Sequence, residues 1–281
     1  MSQPAIELAR AKINLTLHVG AAAGDGYHPL SSSVVFADAA DIVTAQAADR
    51  FSLTISGPFG EGLRADEDNL ILRAARFAHA QLGGPELKFH LVKNLPVSSG
   101  MGGGSADAAA AMRHVAGFAE RNVADLKNTQ QIGADIPVCL LSRTSLMQGI
   151  GEDVTPMPGQ GRHYGVLANP GLPVSTGKIF QAFDQGPAGD LAQPTRSGLI
   201  EAARAGRNDL QPIACELQPE IVRVLMELAV QSGVKLSRMS GSGASCFAIV
   251  EDMQSAQNIK AALSAKYPQW WVWAGGFGDP S

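Results

Sequence analysis

Alternating apolar and polar positions along the chain predict several strands with one buried face. In residues 13–19, the apolar side chains of Ile13, Leu15, Leu17 and Val19 fall on one face, and polar side chains fall on the other. This period of two is typical of a half-buried strand. The same alternation or a short apolar run predicts further strands at 51–55, 87–91, 138–147, 164–169, 246–250 and 270–274.

Apolar residues spaced three or four positions apart predict helices between these strands. Helices are expected at 68–82, from Ser105 through the alanine-rich stretch 108–112, and at 197–205, 219–232 and 253–266. Strands and helices follow one another without a regular βαβ order, so the pattern favours an α+β fold over a doubly wound sheet. The segment 156–161 is dense in proline and glycine, which predicts two domains, residues 1–155 and 156–281.

Composition and charge narrow the class of protein. The chain of 281 residues has 45% hydrophobic and 17% charged residues, which argues against disorder. Its net charge of −4 argues against a nucleic-acid partner held by bulk charge. No apolar run reaches the roughly 18–20 residues that span a bilayer, so no membrane partner is expected. The three cysteines lie far apart without metal-ligand spacing, and together these features predict a soluble cytoplasmic protein.

A glycine-rich stretch between the strand at 87–91 and the helix from Ser105 carries the strongest functional signal. Glycines allow the backbone to approach a ligand closely, and the start of a helix offers unpaired N–H groups and the positive end of its dipole. The alternative is an ordinary flexible loop capped by Ser105. The candidate phosphate-binding residues of this loop are Pro96, Val97, Ser98, Ser99, Gly100, Met101, Gly102, Gly103, Gly104, Ser105 and Ala106.

This loop does not fit the common phosphate-binding classes. A P-loop would end in Gly-Lys-Ser/Thr, and no lysine follows these glycines. A dinucleotide fingerprint would have its third glycine where Ser105 stands. The His-Arg-Asp and Asp-Phe-Gly signatures of protein kinases are missing.

A loop that binds phosphates could serve a kinase, and transfer of a phosphoryl group to an alcohol would then need a group that takes the hydroxyl proton and positive charge beside the moving phosphate. Asp135 lies between a glycine turn and an apolar segment, where its alternative role is that of a helix cap or turn residue. Lys12 lies on the polar face of the first strand, where the alternative is a solvated lysine. Asp107, just inside the predicted helix, is interpreted as a first-turn acid that favours the helix dipole.

Tyr27 and His28 lie together in a Gly-Asp-Gly-Tyr-His-Pro turn. An aromatic ring and an imidazole on one loop could clamp a pyrimidine by stacking and by edge hydrogen bonds. The alternative is a packed turn tyrosine beside an exposed histidine.

The chain resembles the GHMP kinase family, which is named for galactokinase, homoserine, mevalonate and phosphomevalonate kinases. The second family motif matches residues 96–108, with Met101 in place of a leucine, and the third matches the glycine-rich turn 239–245. The first strand, with Lys12 and Asn14, matches the remaining part of the family pattern. Residues 11–15, 24–30 and 133–137 resemble one branch of the family, although the segment 113–132 is shorter than expected for that branch.

The resemblance implies a two-domain α+β kinase with its active site in the cleft between the domains. It implies ATP and Mg²⁺ as cofactors, with no protein ligand to the metal assigned, and Lys12 and Asp135 as catalytic residues. The implied reaction phosphorylates a cytidine diphosphate-linked methylerythritol of the non-mevalonate isoprenoid pathway, and a monomer or weak homodimer is expected. The implied residues that bind this small-molecule substrate are Asn14, Tyr27, His28, Gly241, Ser242 and Gly243.

Two other functions stay open from the sequence. One is a different small-molecule kinase of the same family, of the homoserine or mevalonate type. The other is a nucleotide-binding pseudokinase that kept the loop and lost the chemistry.

Overall fold

The computed structural model describes residues 5–22, 28–184, 186, 189–191 and 198–279. The strands of this part of the chain are β1 (Ala5–Asn14), β2 (His18–Val19), β3 (Leu30–Ala48), β4 (Ser52–Ser56), β5 (Glu86–Val92), β6 (Ser145–Gln148), β7 (Asp153–Pro156), β8 (Arg162–Asn169), β9 (Val234–Met239), β10 (Cys246–Val250) and β11 (Trp271–Gly278). The helices are α1 (Leu70–Leu82), α2 (Gly103–Phe118), α3 (Ile136–Leu141), α4 (Thr176–Phe183), α5 (Leu199–Ala205), α6 (Gln211–Leu217), α7 (Glu220–Ala229) and α8 (Met253–Lys266).

The chain divides into two compact units, and both are built from segments that are separate in sequence. The first unit comprises the described residues of Met1–Ala11, Ala39–Val97 and Gly102–Ser142. The second comprises those of Lys12–Asp38, Ser98–Met101 and Arg143–Ser281. The predicted division after residue 155 lies inside the second unit, where the segment 156–161 connects β7 to β8.

In the first unit α1 and α2 pack against a small sheet, and α3 packs against α2. β5 pairs antiparallel with the last part of β3, from Ile42 opposite Val92 to Ala48 opposite Glu86, and β4 pairs parallel with β5. The alternation seen in β5 buries Leu87, Phe89 and Leu91. The alanine-rich helix α2 is buried along most of its length, because small side chains allow close packing against α1.

The second unit contains an antiparallel sheet in the order β3–β11–β8–β10–β9, to which the first part of β3 contributes. The hairpin of β6 and β7 pairs with the same part of β3. α7 and α8 cover the sheet and bury their apolar faces in its core, to which Leu228 and Leu263 belong. Burial of such a leucine contributes about 1.5–3 kcal/mol, so these helix faces are a main source of stability for the unit.

Most predicted elements are confirmed, and the α+β class with its mainly antiparallel pairing is confirmed with them. β10 and α8 have the predicted bounds. α1 ends at Leu82 as predicted, because Gly83, with φ of 75°, follows it. Its start is at Leu70, where the Asn69 side chain accepts a hydrogen bond from Ile71 N.

Two predicted elements require correction, and the long strand β3 was missed. Residues 136–141 form α3 and not a strand, because Pro137 suits the first turn of a helix; the strand of the predicted segment 138–147 is confined to β6. The predicted strand 13–19 is split between β1 and β2, and β1 begins earlier. Much of the unpredicted strand β3 is buried on both faces, which removes the alternating pattern that identifies a strand.

Candidate active site

The loop between β5 and α2 bends through three residues with left-handed backbone. Ser98, Gly100 and Gly102 have φ of 51°, 74° and 64°. Glycine adopts such angles freely, whereas other residues do so rarely. The loop is entered from the buried residues Leu95 and Pro96. Its course therefore depends on Gly100 and Gly102.

The second glycine-rich motif, residues 239–245, packs directly against residues 98–101 in the second unit. Ser240 Oγ donates to Gly100 O at 2.9 Å, and Ser245 N donates to Ser99 O at 3.1 Å. A Cβ atom on Gly100 would clash with Ser240 O, and one on Gly241 would lie 2.8 Å from Gly100 O. Both glycines are therefore required by the close approach of two backbones.

Two polar side chains outside the predicted motifs fix this second loop. Asn208 Nδ2 donates to Met239 O and to Gly241 O, both at 2.8 Å. The hydroxyls of Thr176 and Ser242 lie 2.7 Å apart. Both positions were missed because a single polar residue in a helical or loop segment gives no periodic signal.

The start of α2 has the properties of an anion-binding site. Gly102 occupies the N-cap and supplies no side-chain cap, and the first intrahelical donor is Ala106 N, which bonds to Gly102 O at 2.9 Å. The preceding N–H groups of the first turn therefore have no helical acceptor. Gly104 is exposed, and a Cβ built on it would meet only Leu70 Cδ2, at 4.0 Å. Such a helix start attracts phosphate oxygens through its N–H groups and its dipole.

Ser105 is the third residue of α2 and not its cap, so the alternative of a loop capped by this serine is wrong. Its Oγ atom lies 3.8 Å from the position that a Cβ atom of Gly133 would occupy. The first turn of α2 therefore lies beside the turn that leads to Asp135, within the first unit.

Asp135 occupies the N-cap position of α3, but its carboxylate makes no capping hydrogen bond. Its backbone carbonyl alone serves the helix, by accepting from Cys139 N at 3.1 Å. The side chain is partly exposed. The structure thus places Asp135 at the N-cap of α3 without a capping hydrogen bond from its side chain.

Lys12 and Asn14 lie at the end of β1 and are both buried, Lys12 with 5% exposure, so the interpretation as a solvated lysine is wrong. Lys12 N donates to Met101 O at 2.9 Å, which connects β1 to the glycine-rich loop before α2. Asn14 N donates to Ser240 Oγ at 3.1 Å. The Asn14 Oδ1 atom is buried without a hydrogen-bond partner, and it lies 3.4 Å from the position of a Cβ on Gly241. A buried acceptor without a hydrogen bond lowers the stability of the folded protein, unless a ligand donates a hydrogen bond to it.

His28 is held in an aromatic cluster and is not exposed. Its ring lies 5.2 Å from that of Phe180 and 5.5 Å from that of Phe183, measured between centroids. Its Nδ1 lies 2.9 Å from Gly20 O, and its Nε2 lies 3.0 Å from Asp184 Oδ1. A base that bonds to this ring must therefore replace one of these partners. Tyr27 lies outside the described residues.

A buried group of three charges, Lys93, Asp41 and Asp107, lies behind the start of α2 and was missed from the sequence. Lys93 Nζ donates to Asp41 Oδ2 and to Asp107 Oδ2, both at 2.6 Å. The interpretation of Asp107 as a first-turn acid is wrong, because it lies beyond the first turn and is 4% exposed. The signals that could have found the group are Asp41 within the mostly apolar segment of β3 and Lys93 directly after β5.

Burial raises the pKa of Asp107 to about 7, and the charge of Asp41 adds to this effect, while the Lys93 ammonium opposes it. The pKa of Lys93 is raised, because its two carboxylate partners together outweigh the lowering effect of burial. The group therefore changes its total charge near neutral pH.

Within the described ranges, no group of three or more His, Cys, Asp and Glu residues is arranged to hold a metal ion. No helix in the same part of the chain has the length and apolar character needed to cross a bilayer.

Comparison with known proteins identifies the family. Residues 69–143 match the model of the GHMP kinase N-terminal domain, and residues 190–269 match that of the GHMP kinase C-terminal region. A 4-diphosphocytidyl-2-C-methyl-D-erythritol kinase of Cereibacter sphaeroides is 46% identical over 270 residues, which cover 94% of this chain and 96% of that protein. The kinase of the same name from Parvibaculum lavamentivorans is 43% identical over 285 residues, which cover 97% of this chain and 98% of that protein.

Solved structures lead to the same family. A crystal structure of 4-(cytidine 5'-diphospho)-2C-methyl-D-erythritol kinase matches with a TM-score of 0.80 at 30% identity, covering 98% of this chain and 100% of that one. A mevalonate kinase of L. major in complex with R-mevalonate matches with a TM-score of 0.71 at 17% identity, covering 100% of this chain and 99% of that one. This similarity concerns the fold alone. The chain belongs to the GHMP kinase family.

Proposed function

We infer that this protein transfers the γ-phosphoryl group of ATP to the 2-hydroxyl of 4-diphosphocytidyl-2-C-methyl-D-erythritol, a step of the non-mevalonate isoprenoid pathway. The observation that carries this function is the relation to kinases of that name at 43–46% identity along nearly the whole chain. The solved kinase of the same name supports it with 30% identity over 98% of the chain.

As a kinase of this family the protein uses ATP, and we propose residues 96–106 as the site of its polyphosphate. The uncapped start of α2 and the open space at Gly104 support this assignment. Backbone N–H groups at a helix start bind phosphate oxygens without needing a lysine in the loop. This explains how the loop can serve a nucleotide although it lacks the P-loop signature.

Magnesium fits this site as a companion of the nucleotide. Mg²⁺ keeps several water ligands and is commonly bound through substrate phosphates with few protein oxygens. We therefore propose that Mg²⁺ is held through the phosphates bound at the start of α2. When bound, the ion would neutralise charge on the phosphates.

For the chemical step, we propose that Asp135 accepts the proton of the acceptor hydroxyl while the hydroxyl oxygen forms its bond to the γ-phosphorus. The bond from that phosphorus to the bridging oxygen of ADP breaks, and ADP leaves. Asp135 is partly exposed at the start of α3, where a carboxylate can act as a general base. Lys12 supplies positive charge beside the transferred group.

For the acceptor, we propose binding by Asn14, by Tyr27 with His28, and by the turn Gly241, Ser242 and Gly243. The unpartnered Oδ1 atom of Asn14 beside Gly241 supports a polar contact there. The partly exposed ring of Phe180 against His28 adds an aromatic surface suited to a pyrimidine.

Transfer of labelled phosphate from ATP to three acceptors tests the function. The cytidine diphosphate alcohol should be phosphorylated, and homoserine and mevalonate should not. Preference for one of the latter would establish a different kinase of the family, and ATP binding without transfer to any acceptor would establish a pseudokinase. Cytoplasmic location and a monomeric or weakly dimeric state stay predictions.

Tyr27→Ala is expected to weaken acceptor binding by about 1–3 kcal/mol, the range for a base stacked on an aromatic side chain. Affinity for ATP should change little, because the stacked base belongs to the acceptor. Tyr27→Phe keeps the ring and is the matched control, with acceptor binding close to that of the wild type. Titration of each variant with each substrate measures this, and equal losses for both substrates in Tyr27→Ala would contradict the assignment.

A further inference from the structure

The stability of the protein does not explain why Lys93, Asp41 and Asp107 form a buried charged group. All three side chains are at most 5% exposed. Buried ion pairs are a poor source of net stability, because the cost of removing charges from water offsets their attraction. Apolar residues of similar size would pack as well in this position. The contacts of the group therefore indicate what it does.

The group fixes the backbone on both sides of the phosphate loop. Asp41 Oδ1 accepts from Asn94 N at 2.6 Å and from Leu95 N at 2.8 Å, immediately before the loop begins. On the other side, Asp107 belongs to α2, and Lys93 Nζ lies 3.2 Å from the position of a Cβ atom on Gly103, the first residue of that helix. The ammonium group is thus directly behind the proposed polyphosphate site.

The charge of the group is adjustable through Asp107. With both carboxylates ionised the three residues carry a net charge of −1, and with Asp107 protonated they carry none. Lys93 and Asp41 are the charged groups that act on the Asp107 carboxyl. The Asp107 Oδ1 atom is buried without a hydrogen-bond partner, so ionisation there leaves uncompensated negative charge behind the helix start.

We propose that Lys93, Asp41 and Asp107 are positioning residues for ATP, which hold the phosphate loop in place and favour the polyphosphate most when Asp107 is protonated. This rests on the proposed polyphosphate site at the start of α2. ATP is an anion, so it binds more tightly to the form without the extra negative charge. Affinity for ATP is therefore higher below pH 7 and falls as pH rises through the titration of Asp107.

Direct titration with ATP at pH 6 and pH 8.5 tests this in wild type and in Asp107→Asn, a variant of the same size without the charge. The wild type should lose affinity roughly fivefold to tenfold between the two pH values, at the lower end of ordinary coupling between two sites. Asp107→Asn should lose most of this pH dependence. Comparing the two proteins removes the titration of ATP itself, and the KM of the acceptor should change little in either.

Glu227→Gln is the matched control, since it also removes a carboxylate from an ion pair, with Lys266 on the surface of the second unit. It should keep the pH dependence of the wild type. An Asp107→Asn variant with the full wild-type dependence would overturn the inference, as would an equal change in the KM values of both substrates.

A measurement on the wild type alone covers the case in which Asp107→Asn does not fold. With excess Mg²⁺, which keeps ATP in one ionisation state at both pH values, a fixed high concentration of ATP should raise Tm more at pH 6 than at pH 8.5. This follows because stabilisation by a ligand grows with the logarithm of its concentration relative to Kd. An equal or smaller rise at pH 6 would contradict the inference alone. Absence of ATP binding at both values would instead contradict the proposed function and the inference with it.

Discussion

Asp135→Asn is expected to lower kcat by a factor on the order of 10²–10⁴, the range in which a positioned general base contributes. Asparagine keeps the size of the side chain and removes both the charge and the basic oxygen. The fold should survive, because the carboxylate makes no capping hydrogen bond and the backbone bond from Cys139 N is unaffected. Since the proton moves only during the chemical step, the KM values of ATP and acceptor should stay close to those of the wild type.

Asp125→Asn is the matched control for this experiment. It makes the same chemical change at an exposed position in a short 3₁₀ turn of the same unit, and its kcat should equal that of the wild type. Turnover of Asp135→Asn near the wild-type value, with both substrates saturating, would exclude Asp135 as the base. The assignment as a kinase would then rest on the relatives and the phosphate loop.

Gly104→Val is expected to weaken ATP binding on the order of 10- to 100-fold, which matches the loss of one hydrogen bond to a charged group. The protein leaves room for the new side chain, because a Cβ at this position meets only Leu70 at 4.0 Å. The valine therefore projects into the space that we propose for the polyphosphate, without a clash that would unfold the helix. Gly103 is less suitable, since a side chain there would approach Lys93 Nζ.

Gly117→Val controls for the effect of valine in the same helix. Gly117 is exposed near the other end of α2, and a Cβ there would meet no atom within 4 Å. Calorimetric titration with ATP should give wild-type affinity for Gly117→Val and a clear loss for Gly104→Val. If the two variants bind ATP equally well, the start of α2 is not the polyphosphate site.

The parts of the site that could be predicted from sequence are those whose structure is determined within one short segment of the chain. The run of glycines before α2 is an example, because backbone freedom and helix start are both local properties. Asp135 could be proposed but not placed, since its position at a cap without a capping bond depends on α3. The sequence of α3 was interpreted as a strand despite the proline that suits its first turn.

The parts that could not be predicted depend on residues far apart in the chain. Lys93 and Asp41 are 52 positions apart, and nothing near either one signals the other. Asp107 was assigned to the dipole of its own helix because its partners lie on other elements. The same limit applies to β3, whose burial on both faces is a tertiary property.

The packing of the two glycine-rich loops has a consequence for synthesis of the protein. The bond from Asn14 N to Ser240 Oγ spans 226 positions, and the bond from Ser240 Oγ to Gly100 O spans 140. Every segment of the first unit precedes residue 143, whereas the second unit draws on residues up to the end of β11. A nascent chain that has not yet reached residue 245 therefore lacks a hydrogen-bond partner of residues 98–101, the middle of the proposed phosphate loop. Contacts of such long range form slowly, so ATP-binding competence should be among the last properties that the emerging chain acquires.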